Sequence, residues 1–147
     1  LVLAINQIAL AEGLALGKAL DIDPSSWTVS STRLRLTFGT AQSWSSKVNS
    51  PLPEVDGSPG SRGYSGGFQA KLMLKDVGLA LTAAHVHSLP TPLTWAAKSV
   101  YDAVCAEGDG SMASKDFSVV YEWLNQKRAE GVEQGWKDGG GIPPVSK

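Results

Sequence analysis

The residues best suited to chemistry lie in the segment GGFQAKLMLKDVGLAL, residues 66–81. A helical period of about 100° per residue places Phe68, Lys71 and Lys75 on one stripe, with Asp76 about a quarter-turn away. Two ammonium groups and an aromatic ring, directly after a Gly-Gly turn at a helix start, could bind an anionic ligand. The alternative is a solvated lysine face with ordinary aromatic packing, because charge on one helix face is common.

Three other groups of side chains are candidate sites. His85 and His87 lie two residues apart without a third ligand nearby, so they favour the end of a helix over a metal site. Ser45 and Ser46 have no His/Asp partners and no nucleophile elbow, which argues against a serine hydrolase. Cys105 is expected to be a small buried hydrophobic residue. We therefore predict no metal site and no nucleophilic catalysis.

The composition describes one globular domain without an obvious charged partner. The chain has 147 residues, of which 42% are apolar and 18% charged, and its formal net charge is -1. This balance gives no electrostatic reason to expect nucleic acid or an anionic membrane as a partner. The single cysteine cannot form an internal disulfide framework. No apolar run approaches the roughly 18–20 residues that a membrane-spanning helix needs.

The first half of the chain is predicted to contain one helix and a long loop. Residues 1–20 are rich in Ala and Leu and predict a helix that is buried on most of its surface, and Pro24 ends it. Residues 33–38 alternate like a strand, although no partner strand is evident. Residues 40–67 are rich in Ser, Pro and Gly and predict a loop.

Three helices are predicted in the second half. The first spans residues 68–88, and Leu72, Leu79 and Ala83 form its apolar face. The second begins with Thr91 as N-cap and Pro92 at its first position, runs to about Cys105 and is stopped by Gly108, with an apolar face of Leu93, Ala97, Val100, Tyr101 and Val104. The last is capped by Ser114 and runs to about Ala129, with an apolar stripe of Phe117, Val120, Tyr121 and Leu124. Residues 131–147 predict a disordered tail.

The segment 66–81 resembles the β-hydroxyacid dehydrogenase family, which includes the 3-hydroxyisobutyrate dehydrogenases. The resemblance lies in Gly66-Gly67-Phe68, Leu72-Met73, Lys75-Asp76 and Gly78-Leu79-Ala80. It implies that Lys75 contacts a nicotinamide cofactor across a domain cleft, and that Phe68 and Asp76 border the substrate pocket. It also implies an all-α fold of four to six helices with a long Ser/Pro/Gly loop, the C-terminal domain of the 6-phosphogluconate dehydrogenase-like type.

Other segments match the same family in the same order, up to about Leu124. They are Ser43-Trp44-Ser45-Ser46 with Asn49-Ser50-Pro51 and Pro53, the ending Ala11-Glu12 and Leu16-Gly17 of the first helix, and Lys115-Asp116-Phe117-Ser118-Val119. The Trp-Ser-Ser loop favours the 3-hydroxyisobutyrate branch over glyoxylate, succinic semialdehyde or tartronate semialdehyde reductases of the same fold. Trp44 is expected to anchor this loop.

The sequence departs from the family pattern at three points. The family's catalytic lysine and its companion asparagine match positions upstream of Leu1, and Lys18 belongs to a different motif. The Gly-rich dinucleotide-binding half, a Rossmann domain, has no counterpart in this sequence. Residues 25–40 match nothing in the family, which indicates an insertion or an error in the gene model. We therefore expect a helical domain at 1–130 that is inactive alone.

The resemblance implies a function shared with a missing half. The expected activity is the NAD-dependent oxidation of 3-hydroxyisobutyrate to methylmalonate semialdehyde in valine breakdown, with NADP as an open alternative. The implied partners are a small hydroxy acid and further copies of the chain in a homodimer or homotetramer. The implied location is the mitochondrial matrix, or the cytoplasm for a bacterial protein. A non-catalytic helical dimerisation module is the alternative of a different class.

Overall fold

The computed structural model describes residues 1–21 and 50–134, and its regular structure there is helical. Four α-helices follow in order: α1 (Val2–Ala19), α2 (Ala70–Val86), α3 (Pro92–Gly110) and α4 (Val120–Gln134). Two short 3-10 helices lie at Gly60–Arg62 and Phe117–Val119. No strand occurs in the described ranges, where only Gln69 and Asp116 pair in a single antiparallel bridge. The predicted all-α class is confirmed, while the predicted strand at 33–38 and the divergent segment 25–40 lie outside the described residues.

Helix α1 is buried on one side, where the sequence predicted burial on most of its surface. Ala4, Gln7, Ile8 and Ala11 are buried on the side that packs on α4 and α3, and Gly17 is buried near the end of the helix. Leu1, Val2, Leu3 and Ala9 are exposed. By length and composition alone α1 could cross a membrane, and the core helix of a globular protein passes the same test.

Helices α2 and α3 form a hairpin, and they are the most extensively packed pair in the described chain. Pro92 is at the first position of α3 as predicted, but the Thr91 side chain makes no capping hydrogen bond. The regular part of α3 ends before Glu107, and Gly108 adopts a left-handed conformation with φ 54°, which agrees with its predicted role as a stop. The predicted apolar face is buried at Ala97, Tyr101 and Val104, but Leu93 is exposed.

The start and the end of the last helix differ from the prediction. Ser114 is exposed and is not the cap, because Asp116 accepts the amide hydrogen of Ser118 at the start of the short 3-10 helix that precedes α4. The predicted apolar stripe is buried at Phe117, Val120 and Tyr121 and half-buried at Leu124. Helix α4 continues to Gln134, so the first residues of the predicted disordered tail are helical. Residues 135–147 lie outside the described part.

The segment from Ser50 to Gly67 is a folded loop that packs on the helices. Ser58 donates to the carbonyl of Leu52 at 2.9 Å, and the buried Tyr64 hydroxyl donates to the carbonyl of Pro51 at 2.9 Å. Within the loop, Gly60 lies so close to the backbone of Pro51 and Leu52 that a Cβ atom would collide with it. The loop therefore holds the chain firmly just before the Gly-Gly turn that leads into α2.

Candidate functional site

The side chains singled out by the sequence lie on the exposed face of α2 and at its start. Phe68, Lys71, Lys75 and Asp76 are all exposed to solvent. The apolar stripe predicted for this helix, Leu72, Leu79 and Ala83, is exposed with them. The core face is a different set on the opposite side: Ala70, Met73, Val77 and Leu81. The prediction was wrong because α2 has two apolar stripes, and periodicity cannot indicate which one meets the rest of the protein.

Lys75 and Asp76 form an ion pair on this face. The Lys75 Nζ lies 3.0 Å from Asp76 Oδ1, and the two side chains are 61% and 47% exposed. A pair this open to water contributes little to stability, about 0–1 kcal/mol. The Asp76 carboxylate therefore orients the ammonium without sequestering it, and Lys75 can exchange this contact for a ligand at low cost. Helical periodicity relates residues three or four positions apart, so it did not predict this contact between adjacent residues.

The amide groups at the start of α2 are not available to an anion. Ala70 donates to the carbonyl of Lys115 at 2.8 Å and Lys71 to the carbonyl of Ala113 at 3.0 Å. The next two amides, of Leu72 and Met73, donate to the carbonyl of Gln69 at 2.9 and 3.1 Å. The first turn is thus satisfied by protein acceptors. Any anionic group on this face would be met by a lysine side chain, and the helix terminus itself is occupied.

Phe68 is held against the turn that precedes α4. Its amide donates to Asp116 Oδ2 at 3.1 Å, and its carbonyl accepts from the amide of Phe117 at 2.7 Å. The rings of Phe68 and Phe117 meet edge to face, with centroids 6.0 Å apart and planes at 81°. Phe68 nevertheless stays 39% exposed. A fixed aromatic surface is therefore presented next to the exposed face of α2.

The two tyrosines near Asp116 are buried and stay protonated. Burial raises the pKa of Tyr101 well above its usual range, and the negative charge of Asp116 raises it further. Burial also raises the pKa of Tyr64, with a contribution from the charge of Glu122. These hydroxyls are too weakly acidic to exchange protons near neutral pH. Both side chains belong to the hydrophobic core.

The remaining candidate residues that the structure describes are His85, His87 and Cys105. His85 lies in the last turn of α2 as predicted, and both His85 and His87 are exposed. Within the described ranges no three residues of the types His, Cys, Asp or Glu are grouped so as to hold a metal ion. Cys105 is half-buried where full burial was expected, and burial raises the pKa of its thiol. Trp44, Ser45 and Ser46 lie outside the described residues.

The α2 face combines an ammonium, a carboxylate, an aromatic ring and exposed leucines. Such a surface suits a ligand that has both polar groups and flat apolar parts. A family model described as the NAD-binding domain of NADP-dependent 3-hydroxyisobutyrate dehydrogenase matches residues 1–124.

The chain belongs to the 3-hydroxyisobutyrate dehydrogenase family. A Dictyostelium discoideum protein, named as a probable mitochondrial 3-hydroxyisobutyrate dehydrogenase, is 42% identical over 129 residues, which are 86% of this chain and 37% of the relative. The mitochondrial 3-hydroxyisobutyrate dehydrogenase of Pongo abelii is 37% identical over 128 residues, 86% of this chain and 36% of the relative. The chain thus spans a little over a third of the length of these relatives.

A solved structure agrees with these relatives. The Mycobacterium tuberculosis 3-hydroxyisobutyrate dehydrogenase, determined with L-serine, superimposes with a TM-score of 0.66 and 31% sequence identity, covering 84% of this chain and 40% of that one. NAD(P) is the cofactor of the family. The described residues fit such a cofactor: Lys75 offers an exposed cation, and Leu72 and Leu79 offer apolar surface on the same helix face.

Proposed function

We propose that this chain is the helical cofactor- and substrate-cleft domain of an NAD(P)-dependent dehydrogenase that oxidises 3-hydroxyisobutyrate to methylmalonate semialdehyde. The observation that carries the proposal is the exposed face of α2, where Lys75 and Asp76 lie on the helix and Phe68 at its start. The membership of the chain in the family, and the names of its relatives, support the reaction and the substrate. When bound, the nicotinamide would accept a hydride from the carbon that carries the substrate hydroxyl.

Each of the three site residues has a distinct role in this proposal. Lys75 binds polar groups of the cofactor through its ammonium, which is compact and free to move on a flexible stem. Asp76 holds that ammonium at 3.0 Å and borders the substrate pocket. Phe68 supplies an apolar wall that excludes water from one side of the substrate. None of the three is assigned the proton transfer, which the family resemblance gives to a different lysine.

The domain is proposed to work with a second half that binds the dinucleotide. The chain spans 37% of the Dictyostelium relative and 40% of the M. tuberculosis enzyme, which leaves ample length in those proteins for a Rossmann domain. In this proposal residues 1–130 form the C-terminal helical domain of the 6-phosphogluconate dehydrogenase-like type. The exposed leucines of α2 then face the cleft, and further copies of the chain assemble as a dimer or tetramer. The names of the eukaryotic relatives support a mitochondrial location.

A chimera tests the proposal. In it this chain replaces the matching segment of the Dictyostelium relative, and turnover is measured with 3-hydroxyisobutyrate, glyoxylate, succinic semialdehyde and tartronate semialdehyde. We expect NAD(P)-linked turnover with a preference for 3-hydroxyisobutyrate. A preference for one of the other three compounds would reassign the substrate within the same fold. A folded chimera without turnover, together with self-association of the chain, would favour the dimerisation module instead.

Two lysines in exposed ion pairs provide a matched comparison for the cofactor role. Lys75→Gln removes the charge at the proposed site, whereas Lys98→Gln removes one from the exposed Lys98–Asp102 pair on α3. We expect Lys75→Gln to raise the KM for the dinucleotide in the chimera by about ten- to a hundredfold, the loss of one hydrogen bond to a charged group. Lys98→Gln should leave it unchanged. Equal effects would remove Lys75 from the site.

The isolated chain provides a separate check. The 147 residues alone should show no NAD(P)-linked turnover. Isothermal calorimetry should find only weak dinucleotide affinity, because the phosphate-binding glycine-rich turn is not in this sequence. Tight binding by the isolated chain would contradict the proposal that a second domain supplies most of the dinucleotide affinity.

A further inference from the structure

The carboxylate of Asp116 accepts more hydrogen bonds than a helix cap requires. It begins the short 3-10 helix before α4, and its Oδ1 accepts from the Ser118 amide at 2.9 Å and from the Ser118 hydroxyl at 2.6 Å. An N-cap needs one side-chain oxygen, and Ser, Thr or Asn would serve equally well. The second carboxylate oxygen is therefore left for another purpose.

That second oxygen reaches across the chain to Phe68. Asp116 Oδ2 accepts the Phe68 amide at 3.1 Å, a contact between residues 48 positions apart. The same turn adds a return bond from the Phe117 amide to the Phe68 carbonyl at 2.7 Å, and Phe117 sets its ring against that of Phe68. The amide, the carbonyl and the ring of Phe68 are thus all fixed by two consecutive residues.

The turn before Phe68 consists of two glycines, whose missing side chains give it little rigidity of its own. Gly66 and Gly67 both have positive φ, 72° and 75°, a conformation that glycine adopts as readily as many others. At Gly67 a Cβ atom would collide with Asp116 Oδ2, so the carboxylate fits into the space that the absent side chain leaves. Asp116 itself is buried, with 4% of its surface exposed. A buried carboxylate that accepts three hydrogen bonds is a rigid support.

We propose that Asp116 is a positioning residue of the site: through Oδ2 it fixes Phe68, so that the exposed side of the Phe68 ring is preset for the substrate. This inference rests on the proposed function, in which Phe68 borders the substrate pocket. Asp116 touches neither substrate nor cofactor in this account. It lowers the cost of binding because the ring does not have to be ordered when the substrate arrives.

Amide hydrogen exchange of the full 147-residue chain tests the contact itself. Asp116→Ser keeps one side-chain oxygen for the cap and removes the acceptor for Phe68. Ser118→Ala is the matched control, because it removes a hydrogen bond to the same carboxylate and leaves the Phe68 bond in place. We expect the Phe68 amide to exchange about tenfold faster in Asp116→Ser and at an unaltered rate in Ser118→Ala. Equal rates in the two variants would overturn the proposal.

Steady-state kinetics of the chimera tests the consequence for the site. We expect Asp116→Ser to raise the KM for the hydroxy acid about tenfold with little change in kcat, because a displaced apolar wall weakens ground-state and transition-state binding alike. Ser118→Ala should leave both constants unchanged. A purely structural role would lower the midpoint of thermal unfolding in both variants and leave KM alone, and that result would overturn the proposal.

Two further variants separate this inference from the proposed function. Phe68→Leu reports whether the ring matters to the substrate: an unchanged KM refutes the role of Phe68 and, with it, the positioning role. If Phe68→Leu raises KM but Asp116→Ser does not, the site stands and only the role of Asp116 fails. Should Asp116→Ser not fold, Phe117→Leu keeps both backbone bonds and removes the ring contact. An unchanged KM in Phe117→Leu would then overturn the proposal that the Phe68 ring is held in place for the substrate.

Discussion

Lys127 Nζ lies 3.0 Å from Glu107 Oε2 and joins the end of α3 to the middle of α4 deep inside the protein. Glu130 Oε2 lies 2.9 Å from the same ammonium, and the Trp123 indole donates to Glu107 at 3.0 Å. Lys127 is only 1% exposed. Its ammonium is therefore almost fully removed from water and depends on these two carboxylates.

Replacing Lys127 by Met should cost about 3–5 kcal/mol of unfolding free energy, because it removes the ammonium that Glu107 contacts in the protein interior. Lys98→Met is the control: it breaks the exposed ion pair with Asp102 on α3 and should cost less than about 1 kcal/mol. Urea unfolding followed by circular dichroism measures both. Adding Glu107→Gln to Lys127→Met should recover part of the loss. Similar costs for the two lysine variants would mean that the buried pair contributes no more than a surface pair.

The Gly66-Gly67 turn should tolerate substitution at only one of its two positions. Gly66→Ala introduces a Cβ into open space, so only the positive φ opposes it, at a cost of about 1–2 kcal/mol. Gly67→Ala has the same backbone penalty and in addition drives its Cβ into the Asp116 carboxylate, which should add about 1–3 kcal/mol. Unfolding free energies in urea would show the difference. A Gly67 variant as stable as the Gly66 variant would mean that the Asp116 side chain can move away freely.

Local signals in the sequence predicted the helices well. The helix predicted at 68–88 is observed at Ala70–Val86, and the next one begins at Pro92 as expected. Proline at a first helical position and glycine at a helix end depend on backbone geometry within a few residues, so sequence alone reveals them. These local signals could not show which face of α2 is exposed, because Leu72 and Leu79 are as apolar as Met73 and Val77 on the core face.

The contacts that hold the site in place were not predictable in the same way. Asp116 and Phe68 meet across 48 residues, and Lys127 and Glu107 across 20. A lysine in a helix is normally solvated, so no pattern in α4 indicated that Lys127 is buried. The Asp116–Ser118 spacing does carry a capping signal, but the sequence prediction assigned the cap to Ser114. The roles of Phe68, Lys75 and Asp76 came from family resemblance, and they remain predictions.

Removing the hydroxyl of Tyr64 and that of Tyr101 should affect stability in opposite directions. The Tyr64 hydroxyl donates to the buried carbonyl of Pro51 at 2.9 Å, so Tyr64→Phe strands that acceptor and should cost about 1–3 kcal/mol. The Tyr101 hydroxyl is buried and has no hydrogen-bond partner in the described part of the chain. Tyr101→Phe should therefore be neutral or stabilising. Thermal unfolding of the two variants decides the matter, and a loss in Tyr101→Phe as large as in Tyr64→Phe would contradict it.

Stability should fall steeply above pH 10. Burial raises the pKa of all three tyrosines, Tyr64, Tyr101 and Tyr121, and the unfolded chain releases these protons near pH 10. Between that pH and the higher folded pKa values, the folded state retains protons that the unfolded state has lost, so each group lowers the unfolding free energy by up to about 1.4 kcal/mol per pH unit.

Lys127 also lowers the unfolding free energy at high pH. Burial alone would lower its pKa, but the hydrogen bonds to Glu130 and Glu107 outweigh this and raise it, so its contribution is also lost as the pH rises above its unfolded value. Urea unfolding at a series of pH values from 8 to 11.5 should therefore show a plateau followed by a decline. Tyr101→Phe removes one of the titrating groups. It should therefore reduce the fall of unfolding free energy by up to about 1.4 kcal/mol per pH unit. A decline of unaltered slope would mean that the Tyr101 hydroxyl ionises equally in the folded and unfolded chains.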